Sequence, residues 1–262
     1  MSRDAEAGSG AEGPSVEAVD RAVRVLNALA ARPIASTLSE AAVGAGLSKP
    51  TAYRILSTLI AEGFVAQNAS SGAYRLGAAP LRLAARVLRD VTARDPALEA
   101  MRKIRAQVKE TVVLSVREGD YRYNIDSVEA ENAIGQAQQI GVAIPLHAGA
   151  ASRVLLAGME SEDLLSYLDR APLTRFSETT IVERDKLIEE LARTRQLGYA
   201  VSSGEFASAG HAVAMAVSDA NGRAIAALHV SAPRSRFSPT VRDRCVAALR
   251  LGVAEIEAAM AV

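Results

Sequence analysis

Apolar residues recur at three- and four-residue spacings from Ser15 onward. Val16, Val19, Val23, Leu26 and Ala30 make one stripe of an amphipathic helix, ended by Arg32-Pro33. Leu38 to Val43 predicts a second, shorter helix, stopped by Gly44 and Gly46. Ser48 then caps a third, with Pro50 tolerated in its first turn because that amide has no helical partner. This helix ends near Glu62-Gly63. Phe64-Val65 and Tyr74-Arg75-Leu76 flank a turn rich in Asn, Ser and Gly, a β-hairpin pattern. Three short helices and a hairpin predict a winged helix-turn-helix over residues 15–77.

Leu81, Ala84, Leu88 and Val91 then recur at heptad-like spacing, with Arg82, Arg86 and Arg89 outside the seam. The pattern predicts a linker helix, within 78–95, that pairs with a second copy. Beyond Asp95-Pro96 a helix over 97–109 gives way to β-rich runs at Thr111 to Arg117, Tyr121 to Val128, Tyr199 to Ser203, Ala212 to Ser218 and Ala224 to Ser231. Helical stretches near 149–158, 161–169, 183–196 and 239–259 intervene or follow. An α+β domain around an antiparallel sheet is expected over 96–262.

Charge changes the picture only when it is counted by segment. The 30 basic and 30 acidic residues cancel, so a polyanion-coating protein is excluded. Residues 14–76 and 77–95 each carry an excess of two positive charges, balanced by acid in 1–13 and 96–262. A phosphate-facing surface is therefore to be sought between Pro14 and Asp95. Around the third helix, Ala52, Ile55, Leu56, Leu59 and Ile60 fall on one side and Thr51, Tyr53, Arg54, Ser57 and Thr58 on the other. The second face carries a guanidinium and hydroxyls but no acid, which suits base edges and phosphates, since a carboxylate there would repel the backbone. Ser48 and Lys49 lie at its N-terminal end, the end that points at DNA in this motif. Arg75 and the Ser70-Ser71 tip belong to the wing.

Other chemistry is thin. The single cysteine, Cys245, lies in an apolar helical stripe with Val241, Leu249 and Ile256, excludes a disulfide framework and suits a reducing cytoplasm. The longest apolar runs, Ala212 to Val217 and Ala224 to Val230, fall well short of the roughly 20 residues a membrane span needs. The small, acidic start, residues 1–14, is expected to be a disordered tail rather than a targeting signal. His147, His211 and His229 have neither the spacing of a metal-ligand pair nor a G-x-S-x-G elbow nearby, so structural or ligand-contact roles are expected, with no catalytic residue, metal or cofactor. Glu205 is a candidate pocket acid, but its setting reads more readily as a solvated turn.

Two readings survive from the residues alone. One is a ligand-responsive DNA-binding regulator; the other is an α+β metabolic enzyme whose N-terminal helices serve oligomerisation. The acid-free face of the third helix and the lack of a catalytic constellation favour the first.

The blocks SVEAVDRAVRVLNAL, GLSKPTAYRILSTLIAEGFV and YRLG, followed by IPLHAGAASRVLLA, TTIVERDKLIEELARTRQLGYAVSSGEF and GRAIAALHVSAP, resemble the IclR family of bacterial transcriptional regulators in the same order, from about Ser15 to the C-terminus. The resemblance implies a cytoplasmic homodimer or homotetramer that represses or activates transcription from a double-stranded operator, an inverted repeat. It also implies a GAF-like C-terminal domain for a small metabolite, a carboxylate or aromatic catabolite. Its pocket is expected to use the backbone amides of Ala148, Gly149 and Ala150, then Gly210 and Ala212 on one strand and His229 and Ser231 on another. The chain departs from the family where it has Ala212 for a frequent Cys, Ala216 for Pro and Ser152-Arg153 for Gly-Lys.

Overall fold

The computed structural model describes residues 15–131, 139–206 and 210–261; the expected N-terminal tail lies outside the described residues. The chain forms two compact units, Met1–Asp90 and Val91–Val262, so the division falls inside the stretch read as a linker.

The first unit contains α1 (Glu17–Ala30), α2 (Leu38–Gly44), α3 (Lys49–Ala61), a hairpin of β1 (Val65–Gln67) and β2 (Tyr74–Leu76), and α4 (Ala79–Arg89). Its core joins Val25 and Leu29 of α1 to Ala41, Leu56, Leu59, Val65 and Tyr74. Of the stripe expected to face that core, only Leu26 packs against it. Val16, Val19 and Val23 are 65, 58 and 48% exposed, and Ala30 is exposed as well. Helix α1 carries two apolar arcs, and Val25 and Leu29 lie on the side opposite these residues. The arc that α2 and α3 can cover is the one that is buried.

Helix α2 starts with a reciprocal capping box in which Thr37 and Glu40 satisfy each other's backbone amides. At α3, the Ser48 hydroxyl accepts the Thr51 amide at 3.4 Å. The wing folds back closely on the end of α3: a Cβ on Gly77 would sit 2.2 Å from the Gly63 carbonyl oxygen, so only glycine fits there. Helix α4 ends at Arg89, before Val91 can join its seam. Leu81 and Ala84 are exposed and Leu88 half-buried, and Leu83 and Val87 add a second exposed apolar strip beside them.

The second unit is a six-stranded sheet, all pairs antiparallel, in the order β5-β4-β3-β8-β7-β6. The strands are β3 (Thr111–Glu118), β4 (Tyr121–Val128), β5 (Ala143–Pro145), β6 (Ala200–Ser203), β7 (Gly210–Ser218) and β8 (Ala224–Pro233). The edge strand β5 was not expected; three residues, one of them proline, give no alternation to read. Helices α5 (Arg94–Val108) and α9 (Pro239–Met260) cover one face through Val112, Leu114, Val213, Met215, Leu228 and Val230. Cys245 is part of this core, and burial pushes its thiol pKa up to about 11. Helix α6 (Ala150–Ala157), with α7 (Ser161–Arg170) and α8 (Arg184–Leu197), covers the other face over Ala214 and Ala227. Helix α5 begins at Arg94, three residues ahead of the expected start, with Pro96 in its first turn where no amide is missed.

Candidate functional sites

On α3 the structure exposes Lys49, Tyr53, Arg54, Ser57 and Thr58, leaves Thr51 half-buried, and buries Ala52, Leu56 and Leu59. Two hydroxyls of the outer face are engaged within the helix. Ser57 donates to the Tyr53 carbonyl at 2.9 Å and Thr58 to the Arg54 carbonyl at 3.2 Å, so both present oxygen lone pairs, not protons, to an incoming partner. Ser48, besides its capping bond, shares a 2.9 Å hydrogen bond with the Thr51 hydroxyl. Acids in this unit are largely neutralised by other arginines, in the pairs Arg21–Glu17, Arg32–Glu40 and Arg86–Asp90. Among the described residues, Lys49, Arg54 and Arg75 make no ion pair; Arg75 donates only to the Leu76 carbonyl, at 3.1 Å. A cleft of about 600 Å³ between α1 and α3 opens along this face, lined by Ala18 and Ala22 of α1 and by Thr51, Arg54 and Thr58 among others.

The residues expected to form a ligand site in the second unit share one sheet face. Ala212 pairs with Ser231 across β7 and β8, Ala214 pairs with His229, and Gly210 pairs with Pro233. By alternation, Gly210, Ala212, His229 and Ser231 face α6. Ala212 packs against the cluster that contains Ala150 and Ala151. Gly149 caps α6 with φ 92°, a conformation that favours glycine.

Two of the three backbone amides expected at the site, those of Ala148 and Gly149, are already engaged. The Ala148 amide donates to the Pro145 carbonyl at 3.2 Å, and the Gly149 amide to the Glu205 carboxylate at 3.0 Å. Glu205 is buried, not a solvated turn acid. It pairs with Arg153, whose guanidinium is also bonded to the Val201 carbonyl. The sequence distracts here, because Ser-Ser-Gly-Glu reads as a surface turn and the carboxylate gains its partners only when β6 and α6 come together.

A second buried guanidinium lies on the same face. Arg122 of β4 donates through Nε to the Ser152 hydroxyl at 3.1 Å, and through Nη1 to the Ser115 hydroxyl at 3.0 Å and the Asn124 side-chain oxygen. Burial pushes its pKa down to about 10. His229 is close enough to feel that cation, and burial first, then Arg122, hold its pKa well below the usual histidine value, so its ring is neutral. His147 donates through Nε2 to the Thr174 carbonyl, 2.9 Å away, and stacks on Phe176, while His211 lies against Phe237. Among the described residues, no three His, Cys, Asp or Glu side chains could together hold a metal ion, and no helix is long and apolar enough to cross a membrane.

Comparison with known proteins agrees across both units. The model of the IclR helix-turn-helix domain matches residues 18–69, and that of the bacterial transcriptional regulator IclR C-terminal domain matches residues 85–258. The chain is 30% identical to the HTH-type transcriptional regulator XynR of Escherichia coli K12, over 85% of this chain and 88% of the relative. Among solved structures, the IclR protein of Thermotoga maritima superposes with a TM-score of 0.79 at 26% identity, over 94% of this chain and 99% of that one. An IclR homolog from Microbacterium hydrocarbonoxydans, solved in complex with 4-hydroxybenzoate, shares the fold with a TM-score of 0.79 at 24% identity, over 93% and 99%.

Proposed function

The chain belongs to the IclR family of bacterial transcriptional regulators, with a DNA-binding helix-turn-helix and a C-terminal effector domain, and from that premise we propose that α3 reads a specific operator whose occupancy a small metabolite controls. The observation that carries the reading is the outer face of α3, exposed and acid-free, with Lys49 and Arg54 unengaged by any ion pair among the described residues. Arg54 addresses a base edge or phosphate, Lys49 and the Ser48 end of the helix meet phosphate, and Tyr53, Thr51, Ser57 and Thr58 complete the surface. Arg75 of the wing reaches the adjacent backbone.

The binding unit is a homodimer, or a pair of them, on an inverted repeat. Support comes from the exposed apolar residues of α4, Leu81, Leu83 and Val87, and of α1, Val19 and Val23, which a lone copy leaves in water. The effector is a carboxylate or aromatic catabolite held on the α6-covered face near Ala212, His229 and Ser231, in line with the 4-hydroxybenzoate seen in the Microbacterium homolog. The protein works in the cytoplasm, where its DNA is.

Footprinting on the promoter region beside its own gene tests the proposal. Two protected half-sites about one helical turn apart, or a multiple of that, are expected, with affinity falling steeply as salt rises and shifting when 4-hydroxybenzoate is added. Uniform, sequence-independent retardation would overturn it.

A further inference from the structure

We infer that Arg122 is the anchor of an anionic effector, a carboxylate bound on the α6-covered sheet face with Ser115, Asn124, Ser152 and His229 as its polar neighbours. This rests on the effector-binding reading of the second unit and names the group that reading leaves open.

The two buried arginines of this unit are treated differently. Arg153 is 1% exposed and is answered by the Glu205 carboxylate. Arg122 is 7% exposed, and its partners Ser152, Ser115 and Asn124 are all neutral. Among the described residues no carboxylate pairs with it, and its Nη2 amino group makes no hydrogen bond. A charge taken out of water is costly unless an opposite charge meets it. The chain supplies that charge to Arg153 and withholds it from Arg122.

The surroundings point the same way. His229 is buried beside Arg122, and its Nδ1 has no partner among the described residues, so a buried polar atom is left for something else to satisfy. Because the ring is neutral, it adds no second cation and can donate one hydrogen bond to an oxyanion. The α6 N-terminus, the obvious place for a ligand carboxylate, already holds Glu205 on the Gly149 amide. Ser152, a departure from the family's usual glycine, orients Arg122 through its Nε, and with Nη1 held by Ser115 and Asn124 the Nη2 amino group is left for the ligand.

The full-length chain tests this with four probes in anion-poor buffer: benzoate and acetate, and their uncharged counterparts benzamide and acetamide. Calorimetry and thermal melting are run on wild type, Arg122→Met and Arg122→Gln. The expected result is that benzoate binds wild type and raises its Tm. Arg122→Met should weaken benzoate about a hundredfold, the loss of the charge-assisted contact from Nη2, and leave benzamide unchanged. Ligand-free Arg122→Met should melt no lower than wild type, because an unanswered buried charge is gone. If the methionine variant does not fold, Arg122→Gln carries the same affinity prediction. Retention of wild-type benzoate affinity in either variant would overturn the anchor while leaving effector binding intact. A wild type indifferent to all four probes would sink the effector-binding reading and the anchor together.

Discussion

The two units handle positive charge in opposite ways. In the first, Lys49, Arg54 and Arg75 stand in solvent, cost nothing to hold, and have an energetic effect only when a polyanion arrives. In the second, Arg122 of β4 and Arg153 of α6 are buried, where each is a large term in the stability of the fold itself. A mutation of an exposed cation should therefore change binding without changing stability, and a mutation at a buried one should do the reverse or both. The three histidines, His147, His211 and His229, all lie in the second unit, so sensitivity to mild acid should follow the same division.

The largest effect expected from that contrast is at Glu205. Glu205→Ala leaves Arg153 charged, buried and alone, and takes the partner of the Gly149 amide as well. The second unit should lose about 3–5 kcal/mol in urea denaturation followed by a probe in that unit. A loss under about 1 kcal/mol would mean that water reaches the pair and that the two units differ less than their burial says.

Next comes the exposed counterpart. Arg54→Ala should cost about 1–3 kcal/mol of operator affinity per reading helix, with specificity relaxed at the base it meets. Its stability in urea should match wild type within about 0.5 kcal/mol, since the side chain is exposed and makes no ion pair among the described residues. Unchanged footprinting affinity at matched salt would remove Arg54 from the reading surface.

How much of this was legible differs between the units for the same reason. The polar face of α3 could be read because helical spacing and the absence of acid are local properties, and exposure follows from them directly. The α1 stripe could not be read correctly, because Val16, Val19, Val23 and the Val25, Leu29 side are both apolar and only α2 and α3 decide which is covered. On β4 the pattern misleads outright. In Tyr121-Arg122-Tyr123-Asn124, alternation puts the rings inside and the cation in water, yet Arg122 and Asn124 are buried and the tyrosines half-exposed. A register shift between Leu114 and Ser115 sets which β4 side chains share the Ser115 face, and a shift of that kind leaves no mark in sequence. Glu205 reads as a solvated turn acid in sequence because its partners Gly149 and Arg153 are more than 50 residues away.

The third prediction concerns pH. Burial lowers the pKa of His147, His211 and His229, and for His229 the Arg122 cation adds to it. The unfolded chain therefore takes up protons near the ordinary value of 6.5 while the folded unit does not. Stability is full above that value and falls as pH drops below it, toward the folded pKa values. For each histidine that stays neutral when folded, the slope approaches about 1.4 kcal/mol per pH unit. Urea titrations at pH 7.5, 6.5 and 5.5 should show the second unit weakening and the first, which has no histidine, holding steady. His229→Leu should flatten the dependence; an unaltered slope would assign it to the other two rings.

The smallest effect separates folding from reading at a single residue. Ser48 caps α3 through the Thr51 amide and also lies at the end of the helix expected to meet phosphate. Ser48→Ala removes the cap and should cost about 1 kcal/mol of stability in the first unit, together with part of the operator affinity. Ser48→Asp keeps an oxygen for the Thr51 amide and adds a negative charge where the helix end is positive, so the unit should be as stable as wild type or slightly more so. The same carboxylate would face the phosphate backbone. Operator binding should therefore fall further for the aspartate variant than for the alanine variant, although the aspartate variant is the better folded of the two. If Ser48→Asp binds the operator as tightly as wild type, the N-terminal end of α3 points away from the DNA, and the exposed cations of this unit need another geometry to reach it.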